Sequence, residues 1–399
     1  MPGSVHQSVA LALTMLVITL PVAIPAGADQ CQPQWPMWEQ FAERWVQADG
    51  RVLESSLEPH HSSSEGQSYA LFFSLVANDR DRFERIWRWS VENLAGNDLD
   101  HQLPAWLWGK GKDGVWQRQD TNAASDADLW FAYALLEASR LWGRPDYRAE
   151  AHQLLANVIA QETADLPGLG TMLLPGPVGF EHSEERLWRL NPSYQPLPLL
   201  RRLAAEQPAG PWSNIAEAST VVLQRTTPHG FAADWLSYRV DETGEGRFEI
   251  DPFKGGVGSY DAIRVYLWAG MTSAADPLAS PSLQALHGME PATRTRGVPP
   301  EHVEVASGEA EGDAPFGFSA ALVPYLSAKG KTRLAEHQAK RARQGLEKAL
   351  AAPADQGPPV YYNYMLSLFG LGWADGHYRF AADGNLQPLW NTACSDTTR

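Results

Sequence analysis

The chain has 399 residues, 44% of them apolar and 20% charged, a globular balance that excludes intrinsic disorder. Its formal charge is −15 with only 32 Lys and Arg, and no run of five basic residues occurs. Nucleic acid and an anionic membrane are therefore poor partners, and a neutral or small ligand fits better.

Residues 9–28, VALALTMLVITLPVAIPAGA, join a short apolar run to a small-residue site, Ala26-Gly27-Ala28. That is the pattern of a secretory signal, 1–28, removed before Asp29. Its usual basic start is missing, so a retained anchor is the alternative, but Pro21 and Pro25 interrupt the run too early for a span. Export implies the periplasm or the medium, with no membrane insertion of the mature chain. Cys31 and Cys394 are the only cysteines and lie at opposite ends of the mature chain. In an oxidising compartment they would tie the termini together; two free thiols are the alternative. No CxxC or His/Cys cluster suggests a metal, and nothing asks for a cofactor.

Apolar residues at spacings of three and four predict helices near 36–47, 65–78, 80–93, 125–142, 147–161, 193–205, 212–225, 259–271, 278–289, 316–327, 331–349 and 359–373. Phe83, Ile86, Trp87 and Val91 make one stripe; Leu129, Ala132, Tyr133 and Leu136 make another. Strand-like alternation is short, at 116–119, 235–240 and 247–250, with DETGEG at 241–246 as a hairpin turn. The stretches 166–179 and 290–315 are rich in Pro and Gly or in small polar residues and are expected to be loops. Helices without βαβ alternation predict an all-α domain, a barrel of helical hairpins with a small β-hairpin element, over residues 29–399.

Three acids fall where helices are expected to start: Glu65 after Ser64, Asp126 after Ser125, and Asp261 two residues after Ser259. Each alone would be explained by the helix dipole. Together, with Tyr69, Trp130 and Tyr260 nearby, they would place three carboxylates and several aromatic faces in one cleft if the helix starts converge. Sugar-bond hydrolysis needs one acid that protonates the leaving oxygen and one carboxylate that activates water or attacks the anomeric carbon. The 16 Trp, against 13 Phe and 12 Tyr, supply the flat surfaces such a ligand favours.

The segment Ala124 to Trp142 resembles the signature of glycoside hydrolase family 8, A-[ST]-D-[AG]-D followed by a run of apolar and small residues to a Trp. Phe131 departs from it conservatively. SEGQSYA (64–70) resembles the family's general-acid segment, with Ala70 where Gly is usual, and SYDAIRVY (259–266) its general-base segment. LPAWLWGK, LPGLGTMLLPG, LNPSY, GFSAAL and YYNYMLSLFGLGW resemble the periplasmic members that accompany bacterial cellulose synthesis. The resemblance implies an (α/α)6 barrel, an inverting mechanism and a β-1,4-glucan substrate, with the cellulose synthase export complex as a further partner. It implies Glu65 as general acid, Asp261 as general base and Asp126 as the acid that holds and distorts the sugar. It also implies Tyr194, Arg264, Trp106, Trp108 and Tyr69 as substrate-binding residues. Asp128, two positions from Asp126, would point away on a helix and reads as structural. Chitosan, xylan or mixed-linkage glucan as substrate, and a glycan-binding subunit without turnover, are the alternatives.

A helix start lowers a carboxyl pKa, whereas a general acid must hold its proton near neutrality. Desolvation or a neighbouring carboxylate, for which Asp126 is placed, must therefore outweigh the dipole at Glu65.

Overall fold

The structure, a computed structural model, describes residues 34–54, 60–352 and 361–393, together with Met1 and Gly3. The expected signal segment (beyond those two residues), Cys31 and Cys394 lie outside the described residues.

Helices dominate. In chain order they are α1 (Pro36–Trp45), α2 (Ser64–Val76), α3 (Arg80–Asn93), α4 (Ser125–Trp142), α5 (Pro145–Gln161), α6 (Leu197–Glu206), α7 (Trp212–Thr226), α8 (Ala262–Met271), α9 (Ala279–Ala285), α10 (Met289–Arg296), α11 (Phe316–Ala328), α12 (Thr332–Ala351), α13 (Tyr361–Ala374) and α14 (Leu389–Ala393). Local chemistry sets many of the ends. Pro36 and Pro145 occupy first turns, where a missing N–H costs nothing, and Gly143 closes α4 at φ 70°. The Ser63 hydroxyl caps α2 and the Asp79 carboxylate caps α3.

Burial sorts the helices into two sets. All ten residues of α8 are buried, and α2, α4, α11 and α13 are buried on nearly every face. By contrast α3 and α12 bury one stripe each, such as Ala335, Gln338, Ala342 and Leu346 of α12. Contact runs from α2 to α4, on through the partly buried α6 to α8, and then to α11 and α13. It returns to α2 where Phe73 meets Phe369 of α13, ring centroids 4.5 Å apart. Trp130 and Trp268 join the same aromatic centre at 5.2 and 5.0 Å from Phe369. Close approach depends on small residues: a Cβ on Gly370 of α13 would stand 1.9 Å from the Ala320 carbonyl oxygen of α11. The one-striped helices pack outside, α3 on α2, α5 on α4, α7 on α6 and α12 on α11.

Small antiparallel sheets occupy segments between the helices, with Ser62–Ser63 directly before α2 and Trp116–Ala123 just before α4. Ser62–Ser63, Ala105–Lys110 and Trp116–Ala123 form one; Glu181–His182, Leu187–Leu190, Leu236–Val240 and Gly246–Ile250 form another. The expected turn at 241–246 joins the last two of these strands, and the Asp241 carboxylate accepts the N–H groups of Thr243 and Glu245 within it.

Several local expectations are corrected. The stretch 290–315 is not a loop: it completes α10 and forms a hairpin of Pro300–Glu304 with Glu309–Asp313. Part of 166–179 is a hairpin, Thr163–Leu166 with Gly170–Leu173. The helix expected at 278–289 is two helices, α9 and α10, and that expected at 193–205 begins as a separate 3-10 turn, Pro192–Tyr194. None of the three acids follows its expected cap: Ser63 and Ala124 precede α2 and α4, and Asp261 itself occupies the cap position of α8. No described helix is long and apolar enough to cross a membrane.

Candidate active site

Glu65 in the first turn of α2, Asp126 in the first turn of α4 and Asp261 at the start of α8 come together. The Tyr69 hydroxyl, one turn beyond Glu65, donates to Asp126 Oδ2 at 3.3 Å. Arg264, one turn beyond Asp261, donates from Nη2 to Asp261 Oδ1 at 3.0 Å and stands 3.8 Å from Asp126 Oδ2. The same nitrogen donates to Ser193 Oγ at 2.8 Å, which ties the guanidinium to the turn before α6. The starts of α2, α4 and α8 thus converge, and α13 joins them. Its Tyr361 hydroxyl would stand 2.8 Å from a Cβ on Gly66, which explains the glycine in SEGQ, and its Tyr362 donates to the Tyr260 carbonyl at 2.5 Å.

The three carboxyls have different surroundings. Glu65 is half-buried, accepts from Trp106 Nε1 at 3.1 Å and lies 3.3 Å from the Ser64 hydroxyl. Burial pushes its pKa well above the ordinary range, and the charges of Asp126 and Glu54 push it further; a hydrogen bond from its own backbone N–H and the charge of Arg264 oppose this and are outweighed. Asp126, 1% exposed, is raised to about 6 by burial, against the pull of Arg264, the Ala127 N–H and Tyr69. Asp261 has a donor on each oxygen, Arg264 on Oδ1 and Trp235 Nε1 on Oδ2, both at 3.0 Å.

Two of these partners were not anticipated. Trp235 comes from the strand region 26 residues before Asp261, and Arg189 and Phe180 flank its ring. Asp234, beside it, accepts the N–H groups of Ser259, Asp261 and Ala262 at 2.7, 3.1 and 2.7 Å. It does the work expected of Ser259, from outside the helix, while burial and then Asp261 raise its own pKa to about 6. The only local sign of this was the pair Asp-Trp at the edge of a strand-like run.

The expected sugar contacts divide. Trp106, 40% exposed, reaches Glu65, and Tyr194 lies under the Arg264 guanidinium at 5.8 Å and beside Trp235 at 6.3 Å. Trp108 instead stacks on Trp116 at 5.0 Å, meets Trp89 edge-on, and has the Arg51 guanidinium over its face at 4.6 Å. Residues 106 and 108 would share one face of a regular strand, but the pairing register shifts on both sides of Leu107 and separates them. Trp130 is fully buried in the aromatic centre.

The sequence profile of glycosyl hydrolases family 8 matches residues 13–376. An endoglucanase of Pseudomonas fluorescens (strain SBW25) is 50% identical over 392 residues, covering 96% of this chain and 98% of its own. An endoglucanase of Escherichia coli O157:H7 is 41% identical, covering 96% and 98%. The crystal structure of the endo-1,4-D-glucanase from Vibrio fischeri ES114 superposes with a TM-score of 0.82 at 40% identity, covering 90% of this chain and 99% of that one. With a cleft of three carboxyls at converging helix starts and a match across nearly its whole length, this chain belongs to glycosyl hydrolase family 8.

Proposed function

We propose that the protein is an endo-acting β-1,4-glucanase that works with inversion. The observation that carries this reading is the unequal treatment of two acids in one cleft: burial and a neighbouring carboxylate favour the proton on Glu65, whereas both oxygens of Asp261 are met by donors. Glu65 gives its proton to the glycosidic oxygen as the bond from that oxygen to the anomeric carbon breaks. Asp261 takes a proton from a water whose oxygen bonds to the anomeric carbon from the opposite face. Asp126, held by Tyr69 and the Ala127 N–H, binds the sugar on the non-reducing side of the cut. Trp106, Tyr194 and Tyr69 line its path, and Arg264 orients Asp261. The names of the Pseudomonas, Escherichia and Vibrio relatives support β-1,4-glucan over chitosan or xylan.

The two sets of helices are read as the inner and outer layers of an (α/α)6 barrel, and residues 29–399 as one catalytic domain exported to the periplasm. Trimming of glucan beside the cellulose synthase export complex is the setting that fits.

The test is proton NMR of a defined cello-oligosaccharide during hydrolysis. Internal cleavage with the α-anomer formed first is expected. First appearance of the β-anomer would replace inversion by retention, and turnover of chitosan but not of cello-oligosaccharide would move the protein to another substrate.

A further inference from the structure

Behind Asp126 lie two carboxyls that the mechanism above does not use. Asp128 is in the first turns of α4, and Glu162 caps the C-terminal end of α5, the helix packed on α4. Both are 0% exposed. None of their four side-chain oxygens receives a hydrogen bond from an N–H or hydroxyl donor. The two side chains are nonetheless within hydrogen-bonding reach of each other. Two ionised carboxylates have only acceptors to offer, so a bond between them requires a proton on one. The charged groups that face them, Glu65 from α2 and Asp126 from α4, are also acids, and the Arg264 guanidinium is directed to Asp126 and Asp261.

We infer that Asp128 and Glu162 are a proton-bridged carboxyl pair that fixes the first turn of α4 and so acts as a positioning device for Asp126. Burial raises both pKa values well above the ordinary range. Both carboxyls therefore favour the neutral form, and the hydroxyl of one donates to the carbonyl oxygen of the other. An uncharged Asp128 has a second consequence. Asp126 ionises at about 6, and a negative Asp128 two residues away would drive it higher. The bridge ties α4 to the end of α5 and to the hairpin beyond it, since the N–H of Leu174, the residue after its second strand, donates to the Glu162 carbonyl at 2.7 Å. Its effect on turnover rests on the reading of Asp126 as the sugar-holding acid; the bridge itself does not.

The direct test is infrared spectroscopy of the full chain near pH 7. Glu65→Gln removes another carboxyl that burial raises well above the ordinary range, so the comparison is that variant against the triple variant Glu65→Gln/Asp128→Asn/Glu162→Gln. A protonated-carboxyl carbonyl band, shifted by deuterium exchange, is expected to be clearly stronger in the first than in the second, the weak background of Asp126 and Asp234 being common to both. The same spectrum in both would overturn the bridge. The positioning role is read from kinetics with Glu65 intact. Asp128→Ala is expected to lower kcat about tenfold with little change in KM. Asp128→Asn, whose amide can still bond Glu162, recovers most of that loss and leaves the acid limb of the pH profile in place. If Asp128→Asn is as damaging as Asp128→Ala, or moves the acid limb to lower pH as loss of a negative charge would, the inference fails. Should Asp128→Ala not fold, the infrared comparison and the Asp128→Asn profile decide alone. A bridge present without a kinetic effect would leave the pair real and remove its tie to Asp126.

Discussion

The two ends of α4 carry buried acids that the protein treats in opposite ways. Near its start, Asp126 shares the cleft with Glu65 and Asp261, and a single guanidinium, Arg264, serves two of the three. Eleven residues on, about 16 Å along the axis, Glu137 is 0% exposed and accepts from Arg140, Arg202 and the Leu386 N–H. Arg202 continues to Glu206, which also meets Arg148 and His152. Burial works to raise Glu206, but hydrogen bonds from Arg148, His152 and Arg202 outweigh it and take the carboxyl down to about 2. At Glu65 the same burial is opposed by too little, and the carboxyl goes up. Acid residues alone do not make a reactive site; leaving them short of cations does.

The largest expected effect comes from abolishing the proton difference. Glu65→Gln and Asp261→Asn should each lower kcat on a soluble cellulose derivative by about 10³-fold, the scale of general acid–base catalysis, while KM stays within a few-fold. Reducing-sugar release measures it. Equal activity in wild type and Glu65→Gln would break the comparison, because the cleft would then be another structural cluster.

At the other end the loss should fall on stability. Arg202→Met leaves Glu137 and Glu206 without a shared partner in a buried position. Arg140 stays on Glu137, and Arg148 and His152 stay on Glu206, so the cost falls below that of a fully unpaired buried charge, at about 1–3 kcal/mol, read as a lower midpoint in urea. Activity per folded molecule should be close to wild type.

Arg264→Met lies between these. It removes the donor from Asp261 Oδ1 and the charge that pulls Asp126 down to about 6. Misplaced groups at a reacting centre can cost about 10²-fold. The sign of the pH effect is fixed: without the cation Asp126 ionises later, so the acid limb of the kcat/KM profile moves to higher pH. A shift to lower pH would mean that Arg264 does not act on an acid that must be ionised.

How much of this was open to reading follows from what each residue depends on. The enclosed helices were legible because their apolar residues recur at helical spacing, and Glu65, Asp126 and Asp261 because each sits in a local motif at a helix start. Asp234 and Trp235 were not: their partners lie some 25 residues away, and only tertiary folding brings a strand end over the start of α8. The packing of Trp108 on Trp116 and Arg51 was not legible either, because the register shifts around Leu107 leave no mark on composition. The hairpin at 300–313 escaped for a related reason, since in it only Pro300, Val303 and Val305 are buried and most of its other residues are charged or small.

The smallest effect separates the two ends most finely. Glu65 holds its proton in the fold at pH values where an unfolded chain has lost it, so unfolding releases a proton. Its contribution is present below the ordinary Glu range and is lost as pH rises towards the folded value. Glu65→Gln has no such dependence, and its Tm should gain on wild type as pH is raised, by something on the order of a degree. Glu206 behaves in reverse. Its lowered pKa gives a contribution present above the ordinary range that disappears as pH falls towards 2. Glu206→Gln should therefore lie below wild type at neutrality and converge with it on acidification. Calorimetry of both variants across pH gives two slopes, and the comparison requires them to differ in sign. Parallel slopes would mean that the environments of Glu65 and Glu206 favour the same protonation state, and the division of the molecule into a cation-poor reactive end and a paired structural end would fall.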